Sequence, residues 1–119
     1  MTNSLILVGR VVRVPELKDT DNNTKVATLT IAIPRAFKNI EGNYDTDFVD
    51  CTLWNVVAQS ACEYCKKGDV VAIKGRIQSY TLDKEEMPKL NMLQVIAERI
   101  SFIANSKKIE EEKDKKVST

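Results

Sequence analysis

Residues 25–33 alternate without a break: Ala27, Leu29, Ile31 and Ile33 fall on one side, Thr28 and Thr30 on the other. A period of two is the repeat of an extended chain, and a helix would scatter these apolar positions around its axis. A segment of this kind is a strand with one face in a core and the other face outside it. The same reading extends to most of the chain. Residues 5–14 form a β-rich run bounded by Pro15, with Gly9 inside it, where a glycine marks a bend such as a barrel corner. Residues 19–23 are turn chemistry, Pro34 ends regular pairing after the second strand, and residues 35–46 suit a hairpin loop.

Residues 47–57 are a third strand, with Val49, Cys51, Leu53 and Val57 on one side and Phe48, Asp50, Thr52 and Trp54 on the other. Residues 58–67 predict a short helix with an apolar stripe of Ala58, Ala61, Cys62 and Cys65, closed by Lys66, Lys67 and Gly68. Residues 70–82 predict a fourth strand. It sets Val71, Ile73 and Ile77 against Lys74, Arg76, Gln78, Tyr80 and Leu82. After a charged loop at 83–88, residues 91–103 predict the fifth, whose apolar parity switches between Ala97 and Ile100 and so implies a bulge. Residues 105–119 are rich in Lys and Glu and predict a charged, disordered tail beyond a single domain at 1–104. The expected class is therefore all-β: a five-stranded Greek-key barrel of the OB type with one short helix between the third and fourth strands.

Several chemistries are excluded by what the chain lacks. It has no His, no Gly-rich phosphate loop, and no partner that would activate Ser60, Ser79 or Ser101, so no enzyme and no cofactor are expected. Cys62 and Cys65 have CxxC spacing, but the only further Cys is Cys51, too few ligands for a zinc site, and all three are read as free thiols. No apolar run is long enough for a membrane span and the N-terminus does not read as a signal peptide, so the expected compartment is the cytoplasm.

The net charge of +1 means that any polyanion-binding surface must gather its positive charge locally. The side of the strands opposite the core offers a mixture of that kind. Phe48 and Trp54 stand roughly 20 Å apart on one strand, too far for one cluster and suited to separate bases. Lys74, Arg76 and Tyr80 lie on another strand, and Arg35, Phe37 and Lys38 near a loop. Aromatic faces stack bases of any identity, and cations neutralise phosphates, which together suit an unpaired strand.

The ordered set of segments resembles bacterial single-stranded DNA-binding proteins. Residues 3–10, Asn-Ser-Leu-Ile-Leu-Val-Gly-Arg, are similar to the family's first strand, and residues 26–33 followed by Arg35-Ala-Phe37 to its second strand and aromatic-tipped loop. Residues 47–54, Asp-Phe-Val-Asp-Cys-Thr-Leu-Trp, resemble the third strand, 61–68 the helix and 71–78 the strand after it. The resemblance implies an OB fold, a homotetramer before a dimer, and single-stranded DNA as partner in replication, recombination and repair. Carried over by position, it implies stacking for Phe37, Phe48 and Trp54, with Tyr80 in place of an aromatic usual at Leu82. It implies basic contacts for Lys38 and Lys67 and adds Arg10 to the DNA-binding set.

Ser4, Val56 and Gln78 stand where the family often has a cation, and Asn55 where close relatives do. The end also departs from the family. In place of a long linker with an acidic, aromatic tip, the chain closes on Lys115-Lys-Val-Ser-Thr119, so recruitment of enzymes through such a tip is not expected. Either a tail-less form of bacterial or mobile-element origin or an incomplete chain fits this, as does a dimeric primosome-type OB protein that binds partners as well as DNA. A purely structural OB adaptor would explain the near-neutral charge.

Overall fold

The computed structural model describes residues 1–105. Its elements are β1 (Leu5–Val11), β2 (Lys18–Asp19), β3 (Lys25–Lys38), β4 (Tyr44–Trp54), α1 (Asn55–Tyr64), β5 (Val70–Leu82) and β6 (Leu90–Ala104). The five long strands close on themselves. β1 pairs antiparallel with β5, and β5 with β6. β6 runs parallel to β4 through Cys51–Val95 and Thr52–Ile96, β4 pairs antiparallel with β3, and β3 returns to β1 through Arg10–Ala32 and Val11–Ile31. This is the expected barrel, with α1 between the third and fourth long strands. β2 is a two-residue strand on the edge of β3, in part of the segment read as turn chemistry.

Alternation sorts the core as expected. Ala27, Leu29, Ile31, Cys51, Leu53, Val71 and Ile73 are buried from the sheet, and Ala58, Ala61 and Cys65 close over them from α1 and its end. Each fully buried Leu or Ile contributes about 1.5–3 kcal/mol, so this inner face is the main source of stability.

Two glycines let strands approach more closely than a side chain allows. Gly9 sits next to Arg10, where β1 passes from β5 to β3, and a methyl there would lie 2.7 Å from the Ala32 carbonyl oxygen. At Gly75 a methyl would overlap the Ile96 carbonyl oxygen. Register shifts beside it, from Lys74–Arg99 to Gly75–Ala97, leaving Glu98 unpaired. This is the bulge anticipated between Ala97 and Ile100.

Some expected boundaries move. β3 does not end at Pro34 but runs to Lys38, and Pro34 still faces Thr46. Its missing N–H costs only a ladder bond, and the register slips between Pro34 and Lys38 instead. β1 stops at Val11, three residues early. β4 ends at Trp54 rather than 57 because Asn55, with φ 52°, turns the chain into α1. Asn tolerates this left-handed conformation better than most residues. Val57 therefore packs on the core from the helix, not from a strand. The helix ends at Tyr64, where the Cys65 N–H bonds the Ala61 carbonyl at 2.9 Å, so Lys66 and Lys67 lie in the following turn. The tail expected at 105–119 lies, apart from Asn105, outside the described residues.

Gly75→Ala should lower the melting temperature clearly. Overpacking at this level costs about 1–3 kcal/mol, or roughly 4–8 °C per kcal/mol in a domain of this size. Gly42→Ala, at a hairpin tip where nothing lies within 4 Å of the added methyl, should meet only the strain of its φ of 85° and lose less. Equal losses in thermal melts would show that the close approach at Gly75 is not a constraint.

Candidate nucleic-acid interface

Residues paired across neighbouring strands point the same way, so the pairings place the outward side chains in rows. Lys18, Val26 and Trp54 form one row across β2, β3 and β4. Thr28, Thr52, Ile96 and Arg76 form the next, across β3, β4, β6 and β5. Thr30 and Asp50 follow, with the Thr30 hydroxyl donating to the Asp50 carboxylate at 2.5 Å. Arg10, Ala32 and Phe48 form a further row across β1, β3 and β4. Trp54 is 41% exposed, Phe48 66% and Phe37, near the tip of the β3–β4 hairpin, 86%, so all three rings are open to solvent.

Beyond Cys51, β4 and β6 separate. The opening between them is a cleft of about 290 Å³ lined by Phe48, Val49, Asp50, Ile77, Leu93, Gln94 and Val95. The β5–β6 hairpin projects past this cleft, with Gln78 opposite Gln94 and Tyr80 opposite Met92. Phe48, Trp54, Arg76 and Tyr80 thus share the outward side of β4, β6 and β5.

Lys74 leaves β5 on the same outward side as Arg76, farther from the hairpin, where it pairs with Ile6 of β1 and Arg99 of β6. Lys67 is set apart, in the turn after α1. There the Gly68 N–H bonds the Val11 carbonyl, and Arg10 reaches the Gly68 carbonyl at 3.5 Å. Period-two parity tells inward from outward, but in a closed barrel it does not say which way round a side chain leaves.

Several of the expected cations are already engaged. Arg35 donates to both oxygens of Asp47, at 2.9–3.3 Å, and lies 3.6 Å from Asp45. The hydrogen bonds from Arg35 hold the Asp47 carboxyl below the usual carboxylate range, and the same pairing raises the Arg35 guanidinium. Arg76 pairs with Glu98 at 3.2 Å and donates to Gln78. Lys38 lies 5.8 Å from the Tyr44 ring centroid. Among the described residues Lys38, Lys67 and Lys74 make no ion pair. The carboxylates at 45, 47 and 98 went unnoticed in the sequence because their partners come from tertiary pairing. Arg13 and Lys18 were missed because Arg13 was read as part of the first strand, and Lys18 lies between Pro15 and the turn at 19–23 with no partner pattern of its own.

Five long strands closed in this order, with one helix between the third and fourth, define an OB-fold barrel, a module that binds oligonucleotides on one face and its loops. The chain belongs to the single-strand binding protein family, whose profile matches residues 2–103. It is 38% identical over 103 residues to single-stranded DNA-binding protein B of Bacillus subtilis, covering 87% of this chain and 91% of that protein. It is also 38% identical to the single-stranded DNA-binding protein of Halalkalibacterium halodurans, covering 87% of this chain but 61% of that protein. Identity to single-stranded DNA-binding protein 1 of Lactococcus lactis is 35%, covering 90% of this chain and 71% of that one. The chain therefore spans from about three fifths to nine tenths of these relatives.

Among the described residues no group of three or more His, Cys, Asp or Glu side chains is placed to hold a metal ion. Cys51 and Cys65 are buried free thiols. Burial pushes both up to about 11, helped by Asp50 at Cys51 and by Asp69 and Cys62 at Cys65. Cys62 is half-buried and its thiol is pushed up less far. A thiol this far above the pH is almost wholly protonated and unreactive. At pH 8 an aromatic disulfide reagent should therefore modify Cys62 first in the native protein, Cys62→Ser should abolish that first phase, and all three should react in denaturant. Three thiols reacting together in the native state would contradict the burial of Cys51 and Cys65.

Proposed function

We propose that the protein coats single-stranded DNA without regard to sequence, and protects it during replication, recombination and repair. Family membership and the exposed rings on the outward side of β4 carry this reading. Phe48 and Trp54 offer separate stacking platforms, with Phe37 at one hairpin and Tyr80 on the other extending the path. The cleft of about 290 Å³ beside Phe48 continues this path. Residues 1–104 form the binding unit, and Arg10, Lys38, Lys67 and Lys74 extend the positive surface around the barrel for a strand that wraps it.

The assembly in this reading is a homo-oligomer, a tetramer before a dimer. Residues 5–9 of β1 pair only with β5, since β3 reaches β1 only at Arg10 and Val11. The other edge of β1 is therefore open, and Ile6 and Val8 beside it are exposed. An open, apolar edge is a template for pairing with another chain. Among the described residues no helix is long and apolar enough to cross a membrane, and the protein works in the bacterial cytoplasm in this account.

Binding to oligo-dT, measured by anisotropy over a salt series, tests the reading. The affinity should fall with salt, each neutralised phosphate contributing about −0.7 to the slope of log K against log salt. Asp47→Asn, which leaves Arg35 only the longer contact to Asp45, should bind more tightly and steepen the slope, by at most about one such increment. A slope near zero for the wild-type protein would reject strand coating.

A further inference from the structure

Resting on the coating reading, we propose that Lys18 and Arg13 form a phosphate subsite that takes the strand past Trp54 toward the segment joining β1 to β3. Lys18 is opposite Val26, and Val26 is opposite Trp54. Its side chain therefore leaves the sheet on the same side as the indole, two strand steps or about 10 Å away. That separation suits a single nucleotide whose base lies on the indole and whose phosphate lies toward the lysine.

A concavity lies beside Lys18, between residues 13–18 and β3. A cavity of about 260 Å³ is lined by Arg13, Val14, Pro15, Glu16 and Lys18 on one wall and Val26, Ala27 and Thr28 on the other. Val26 and Thr28 belong to the outward rows that carry Trp54 and Thr52, so the cavity opens onto the same surface. Arg13 is steered over β3 by a bond of 3.4 Å from its guanidinium to the Thr30 hydroxyl oxygen. Neither Arg13 nor Lys18 makes an ion pair among the described residues, unlike Arg35 and Arg76. Glu16 is the one carboxylate in the lining. Two cations in one concavity, beside the only tryptophan, suit a phosphodiester and make no demand on the base.

Full-length variants tested with labelled oligo-dT across a salt series decide this. Lys18→Gln and Arg13→Gln should each weaken binding several-fold at low salt and make the salt slope shallower by about 0.7. The loss should be the same for oligo-dC and oligo-dA, and Lys18→Arg should restore it. Glu16→Gln should strengthen binding. Two Gln variants with wild-type affinity and slope would overturn the subsite while the wild-type slope still upheld strand coating. A loss that Lys18→Arg fails to restore would mark a structural role and overturn it too. A wild-type protein without salt-dependent binding would reject both proposals together.

Discussion

The barrel depends on β6 being held on both edges. Along one edge it pairs with β5 over the length of a hairpin, and along the other it meets β4 in parallel at only two positions, Cys51–Val95 and Thr52–Ile96. That short parallel contact closes the sheet. It is possible because β6 bulges at Glu98, and because Gly75 lets the Ile96 carbonyl come in where a methyl would collide. Past the contact the two strands diverge, and the divergence is the cleft beside Phe48. One constraint thus sets the closed core and the open surface together.

Electrostatics on that surface favours stacking as the stronger term. Arg35 is shared by two carboxylates and Arg76 is paired with Glu98, so phosphates compete with groups already in place. Exposed ion pairs of this kind contribute little to stability, roughly 0–1 kcal/mol, but they lower the positive potential a strand meets. A base on an aromatic face is worth about 1–3 kcal/mol, with no competing internal partner. A net charge of +1 fits the proposed division, in which rings supply affinity and the cations without an ion pair set the path.

Much of the fold was legible because it is written in period two. Leu29, Ile31, Cys51, Leu53, Val71 and Ile73 are buried as their alternation requires, and the parity switch after Ala97 marked the bulge. The helix stripe of Ala58, Ala61 and Cys65 was legible too, but its start was not, since a single left-handed Asn55 decides where β4 stops. The outward placement of the candidate side chains was legible residue by residue, and their arrangement less so. Phe48 and Trp54 lie on one strand, so their shared side followed from parity. Lys74 shares that outward parity yet leaves the barrel beside Ile6, a fact of closure that no local pattern encodes. The Arg35–Asp47 pair spans a hairpin, and the row from Lys18 to Trp54 depends on a two-residue strand too short to announce itself.

Trp54 gives the most direct test of the central claim, that outward rings of the barrel take up bases. It is the only tryptophan, so its emission reports on one place. Titration with oligo-dT should quench that emission to saturation. Trp54→Ala should cost about 1–3 kcal/mol of binding while leaving the melting temperature nearly unchanged. Emission indifferent to saturating DNA, together with a lowered melting temperature in Trp54→Ala, would place the indole in packing and contradict the account.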